Sequence, residues 1–78
     1  MPKAKIYTTP FCVYCQKAKE FFQKNNINYE EIDVTKDDQA LNEMVKKSGQ
    51  MGVPVIEINN NIVVGFDQNK IENLLNLA

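Results

Sequence analysis

The chain has 78 residues, nine Lys against ten Asp or Glu for a net charge of -1, and a hydrophobic share of 44%. That length is too short for two ordinary domains and no Pro-, Gly- or Ser-rich stretch divides it, which predicts a single domain over residues 1–78. Neither sign of charge forms a long run, so nothing points to steering onto nucleic acid, and Met1-Pro2-Lys3-Ala4-Lys5 leads into an apolar stretch too short for a signal segment or a membrane span, so a cytoplasmic protein is expected.

Lys5-Ile6-Tyr7-Thr8 is β-prone and Pro10 interrupts any regular continuation, which predicts a first strand over about residues 3–8. From Val13 onward, Cys15, Ala18, Phe21 and Phe22 recur at helical spacing between polar residues, predicting an amphipathic helix to about Asn25. Residues 28–34 alternate imperfectly after an Asn-rich turn and predict a second strand, parallel to the first if the helix is a crossover. Asp37 and Asp38 open a second helix, where acids suit the positive end of the dipole; Leu41, Met44 and Val45 form its buried stripe and Gly49 stops it. Residues 53–58 and 62–64 are apolar β-branched runs separated by Asn59, Asn60 and Asn61, which tolerate the positive φ of a tight hairpin. Asp67 caps a last helix whose core face is Ile71, Leu74 and Leu75. The predicted order is βαβαββα, an α/β architecture.

Cys12 and Cys15 fall where the first strand hands over to the first helix. Closing a four-residue loop removes roughly 2 kcal/mol of unfolded-state entropy before ring strain is subtracted, so the pair is a poor structural staple. A reactive or metal-binding pair suits a cytosolic chain better. Disulfide exchange requires the thiolate, and an ordinary thiol of pKa about 8.5 is only a few per cent ionised at pH 7. Cys12 stands at the helix start, facing the unpaired N–H groups of the first turn and the positive end of the macrodipole. Stabilising the anion gains little in attack, because nucleophilicity falls with pKa, and more when that sulfur must leave. Cys15, one turn further on, can reach Cys12 while the helix's own packing covers it, which assigns it the resolving role.

The stretch Thr8-Thr9-Pro10-Phe11-Cys12-Val13-Tyr14-Cys15-Gln16-Lys17-Ala18-Lys19 resembles the active centre of the glutaredoxins, usually Cys-Pro-Tyr-Cys. Tyr14 matches that centre, whereas Val13 is similar to the redoxins that serve ribonucleotide reductase. The resemblance covers nearly the whole chain, since Gly52-Val53-Pro54 falls where the family has a cis-proline and Gly65-Phe66-Asp67 where it has a Gly-x-Asp turn. It implies a thioredoxin fold, with a four-stranded mixed sheet flanked by three helices. It also implies that Tyr14, Val53, Pro54, Phe66 and Asp67 line a glutathione groove beside Cys12, the tripeptide's cysteine pairing with the Val53 backbone. Taken without the resemblance, Pro54 reads as a trans proline opening an edge strand, and Asp67 as a plain helix cap. Where many glutaredoxins carry Lys or Arg this chain has Thr9, and where a second acid often follows it has Gln68. Lys17 and Lys19 compensate in part or are simply solvated.

By this resemblance the expected activity is that of a dithiol glutaredoxin, a glutathione-dependent thiol-disulfide oxidoreductase with no tightly bound cofactor and glutathione as co-substrate. It would act as a monomer on disulfide-containing or glutathionylated proteins, ribonucleotide reductase or a peroxidase among them. The alternative is a redoxin reduced by thioredoxin reductase. Thiolates also suit Cu(I) or Zn, but there is no His and no second cysteine pair to close a zinc site, so no metal is expected there. A cluster shared by two subunits through Cys12 and glutathione is the remaining metal reading.

Overall fold

In the computed structural model, which describes residues 4–75, the strand β1 (Ala4–Thr8) is the pivot of a four-stranded sheet. It pairs in parallel with β2 (Tyr29–Asp33) and antiparallel with β3 (Val55–Ile58), which pairs antiparallel with β4 (Asn61–Val64). The strand order is β2-β1-β3-β4, and the helices are α1 (Val13–Lys24), α2 (Asp38–Ser48) and α3 (Gln68–Leu75). The element order is the βαβαββα predicted, and the mixed sheet is that of the thioredoxin fold the resemblance implies. Residue 3, the predicted start of the first strand, lies outside the described residues.

Strand alternation divides the core in two. Ala4, Ile6, Ile56, Ile58 and Val63 turn to one face, where Ala18 and Phe22 of α1 and Ile71 and Leu75 of α3 cover them. Tyr7 and Val55 turn to the other, against Val34 and the α2 residues Ala40 and Met44. The contact face of α2 is therefore centred on Ala40 and Met44, one turn apart, with the predicted Leu41 and Val45 half-buried at its side. The small Ala40 lets the helix approach the sheet closely, which a reading weighted by side-chain size does not anticipate.

The helix ends are closed as their residues dictate. Asp37 Oδ1 accepts from the N–H groups of Gln39 (3.0 Å) and Ala40 (3.2 Å), and Gly49 ends α2 in the left-handed region at φ 75°. Asp37→Ala is expected to cost about 1 kcal/mol, measured as a lower urea midpoint with unchanged slope, while Asp37→Asn retains most of it. The β3–β4 turn takes only Asn59 (φ 51°) and Asn60 (φ 69°), so Asn61 pairs with Ile58 and β4 starts one residue earlier than predicted. β3 in turn begins at Val55, because Val53 and Pro54 are spent on the bend that precedes it.

One ionic group ties three elements together. Lys47 Nζ of α2 donates to Glu57 of β3 (2.9 Å), to Glu43 (3.0 Å) and to the Tyr7 hydroxyl of β1 (3.3 Å). Glu57 foremost, then Glu43 and the Tyr7 hydroxyl, push the Lys47 ammonium above the ordinary lysine range against its partial burial. A raised lysine contributes fully below its unfolded value and is lost as pH rises through the folded one, so this tie is complete at neutral pH.

Candidate active site

Register explains how distant segments meet. Tyr7 of β1 stands opposite Val55 of β3, and Val55 opposite Val64 of β4, so the end of β1, the start of β3 and the end of β4 share one end of the sheet. The Gly65 N–H donates to the Pro54 carbonyl (2.8 Å), tying the last two together. From this end issue the loop to Cys12, the Val53-Pro54 bend and residues 65–67.

Cys12 is the N-cap of α1, with extended backbone (φ -112°, ψ 110°). Its carbonyl accepts from Gln16 N–H (3.2 Å) and its Sγ from Cys15 N–H (3.1 Å). The cap that Ser or Asp ordinarily supplies is here a sulfur. Cys15 is on the inner face of the same helix, 1% exposed, in line with Ala18 and Phe22, whereas Cys12 is half-exposed. The two are joined as a disulfide with Cα atoms 5.1 Å apart. A disulfide so placed can take up two electrons as a dithiol and give them back, with Cys12 half-exposed to an incoming group and Cys15 screened.

The residues next to Cys12 in the chain are apolar and open, Phe11 being 97%, Val13 67% and Tyr14 59% exposed; Met51, in the loop before Val53, is 68% exposed. Lys17 Nζ lies 5.3 Å from the centre of the Tyr14 ring, a cation–π contact. Lys19 is committed elsewhere, to Glu31 of β2 at 2.8 Å, and the Thr8 hydroxyl donates to the same carboxylate oxygen (3.2 Å). Asp33, paired with Thr8 at the end of β2, has its carboxyl held below the usual range by the Thr35 hydroxyl and N–H, with a smaller contribution from Lys36.

Of the residues predicted for the groove, Val53 is half-buried against the α2-side core and Pro54 is buried, and the bond between them is cis, as the resemblance implies. Phe66 packs its ring edge-on to Phe21, centroids 5.9 Å apart. Asp67 is exposed and its Oδ1 accepts from Lys70 N–H (3.2 Å), so it caps α3. Tyr14, Val53, Pro54, Phe66 and Asp67 thus come from three segments at one end of the sheet, with the ring of Tyr14 against Lys17 and that of Phe66 against Phe21.

One residue at this end has no counterpart among the predicted ones. Gln50 Oε1 accepts from Gly52 N–H and Gln50 Nε2 donates to Gly52 C=O, both at 3.0 Å. Ser48 Oγ, at the end of α2, lies 2.9 Å from Gln50 O and accepts from Gln50 N–H (3.3 Å). The sole sequence signal was Gly52 itself. Among the described residues, no group of three or more His, Cys, Asp or Glu stands where it could hold a metal ion, and no helix is long and apolar enough to cross a membrane.

Residues 4–63 match the family model of the glutaredoxins. Over 71 residues the chain is 44% identical to an uncharacterized glutaredoxin-like 8.6 kDa protein in the rubredoxin operon of Clostridium pasteurianum, a match spanning 91% of this chain and 95% of that one. Among solved structures, a mutant of the thioredoxin-like protein BC3987 superposes over the whole of both chains with TM-score 0.91 and 37% identity. The glutaredoxin-like protein NrdH-redoxin from Escherichia coli, described as having a thioredoxin-like activity profile, superposes with TM-score 0.80 over 91% of this chain and 92% of its own, at 27% identity.

Proposed function

The chain belongs to the glutaredoxin family, and from that premise we propose that it is a dithiol thiol-disulfide oxidoreductase, with Cys12 the nucleophile and Cys15 the resolving thiol, acting on protein disulfides or glutathione mixed disulfides. The observation that carries this reading is the N–H of Cys15 aimed at Cys12 Sγ from the first turn of α1. That donor, with the helix dipole behind it, favours the anionic sulfur over the thiol.

In the reduced protein the Cys12 thiolate attacks one sulfur of the substrate disulfide. A Cys12–substrate bond forms, the substrate S–S bond breaks, and the departing thiolate takes up a proton. Cys15 then gives up its proton and attacks Cys12 Sγ, displacing the second substrate thiolate and leaving the intramolecular disulfide. Two electrons have passed to the substrate, and a thiol donor must return them. Burial of Cys15 keeps it from competing for substrate in the first step. A reducing cytoplasm is the proposed setting, and a monomer the proposed form.

Glutathione is the proposed co-substrate, its cysteine backbone meeting that of Val53 while Tyr14, Pro54, Phe66 and Asp67 border it. Among the described residues no hydrogen bond engages the Val53 N–H or C=O, which supports this pairing. A second reading, a redoxin reduced by thioredoxin reductase and serving an enzyme such as ribonucleotide reductase or a peroxidase, draws support from the charges. Lys19 is held by Glu31, and Thr9 and Gln68 carry no charge, so none of these three offers a free cation to a tripeptide carboxylate. The experiment is to supply oxidised protein with NADPH and either glutathione plus glutathione reductase or thioredoxin reductase, and to follow NADPH loss. Turnover with the glutathione system is expected; turnover with thioredoxin reductase alone would replace the first reading by the second.

A further inference from the structure

We propose that Gln50 is a positioning residue for substrate: its carboxamide clamps Gly52 so that the Val53 N–H is presented to an extended peptide segment of the disulfide-bearing substrate, an inference that rests on the exchange chemistry proposed above. Residues 49–54 connect α2 to β3 with no regular structure. A connection of this kind is ordinarily among the more mobile parts of a fold. Here one side chain organises it. The amide of Gln50 offers an acceptor and a donor side by side, and both are used on the two backbone groups of a single residue, Gly52. The main chain of Gln50 is itself held by the Ser48 hydroxyl, which lies 2.7 Å from Met44 O inside the last turn of α2. The loop is thereby referenced to a packed helix.

Peptide geometry gives the clamp its consequence. Gly52 C=O and Val53 N–H belong to one trans peptide and point in opposite directions. Holding the carbonyl toward Gln50 therefore aims the Val53 N–H away from it, to the side on which no described hydrogen bond is made. The Pro54 carbonyl is already taken by Gly65. A partner segment thus finds one donor whose direction is set before it arrives, and the ordering cost of binding is reduced accordingly.

The clamp also accounts for the glycine. A Cβ on residue 52 would stand 2.8 Å from Gln50 Oε1, while no left-handed φ is required there. Alanine at 52 therefore suits the backbone but expels the amide, and because the colliding atom ends a flexible side chain, the amide swings off without unfolding the loop.

The test uses the reduced full chain in single-turnover exchange with two probes: a peptide bearing an intramolecular disulfide with several residues on either side, and bis(2-hydroxyethyl) disulfide, which has no peptide group. Gln50→Ala and Gly52→Ala are each expected to raise half-saturation by the peptide about fivefold with the maximal rate near that of the parent, the scale of one or two neutral hydrogen bonds. Exchange with the small disulfide should be unchanged. The double variant should be no worse than either single, because both remove the same contact, and Gln50→Glu, which keeps an acceptor but loses the donor, should resemble Gln50→Ala. Equal slowing with both probes, no change with the peptide, or additive effects in the double variant would each overturn the assignment. A parent protein that exchanges with neither probe would sink the exchange reading itself, a result distinguishable from any of these.

Discussion

Cys12→Ser is expected to lower exchange with any disulfide by roughly three orders of magnitude or more, because a hydroxyl is neither ionised at neutral pH nor able to form the mixed disulfide. The fold should be retained, since serine is itself a good cap and can accept from the Cys15 N–H that now meets Cys12 Sγ. The contrast with Cys15→Ser makes the result specific. That variant keeps the outer sulfur and its donor, so it should complete the first attack and stop as an adduct with the substrate thiol, seen as a mass increase on the intact protein and released by added glutathione. Stopped-flow exchange and intact mass together check both. Activity retained in Cys12→Ser would remove the assignment of the nucleophile.

The second large effect is on stability. Phe22 is fully buried, its ring 5.3 Å from that of Tyr29 and 6.1 Å from that of Phe21, on the same face of α1 as Cys15 and Ala18. Phe22→Ala is expected to cost about 3–5 kcal/mol, the range for truncating a buried aromatic. A chain of this length has a total stability of only about 4–12 kcal/mol. The variant therefore stands near the threshold of folding, and urea denaturation should show a sharply lowered midpoint. A loss under about 1 kcal/mol would mean that α1 is held by something other than this stripe.

Much of the fold and of the site is legible in the sequence, for reasons that can be named. In α1 the predicted stripe of Cys15, Ala18, Phe21 and Phe22 records the buried face, with Phe21 half-buried at its side, and the placement of Cys12 before Val13 marks it as a cap. The hairpin was readable from three asparagines, but any of them tolerates positive φ, so only the pairing of Ile58 with Asn61 decides which two make the turn. The sequence pattern favours Leu41 over Ala40, because hydrophobic weight says nothing about how closely a helix can approach a sheet. The contacts of Gln50, and of Lys19 with Glu31, left no periodic trace. The second of these depends on α1 lying across β2, which follows from the fold and not from the neighbours of either residue. The motif resemblance points to Phe66 as a groove residue, whereas the structure shows its ring packed against Phe21 at the edge of the core.

That a sulfur caps α1 means that one hydrogen bond serves folding and chemistry together. Its strength follows the charge on the acceptor, being about twice as great for an ion as for a neutral atom. The first turn of α1 is consequently held more firmly when Cys12 is a free thiolate than when that sulfur is neutral, whether bonded to a substrate or, as here, to Cys15. In the exchange proposed above, that weakening falls at the stage when Cys15, two residues beyond the start of α1 at Val13 and otherwise enclosed, has to move its sulfur toward Cys12. Over the proposed cycle the grip on the helix terminus would therefore rise and fall with the charge on one sulfur, with no separate moving part in the fold.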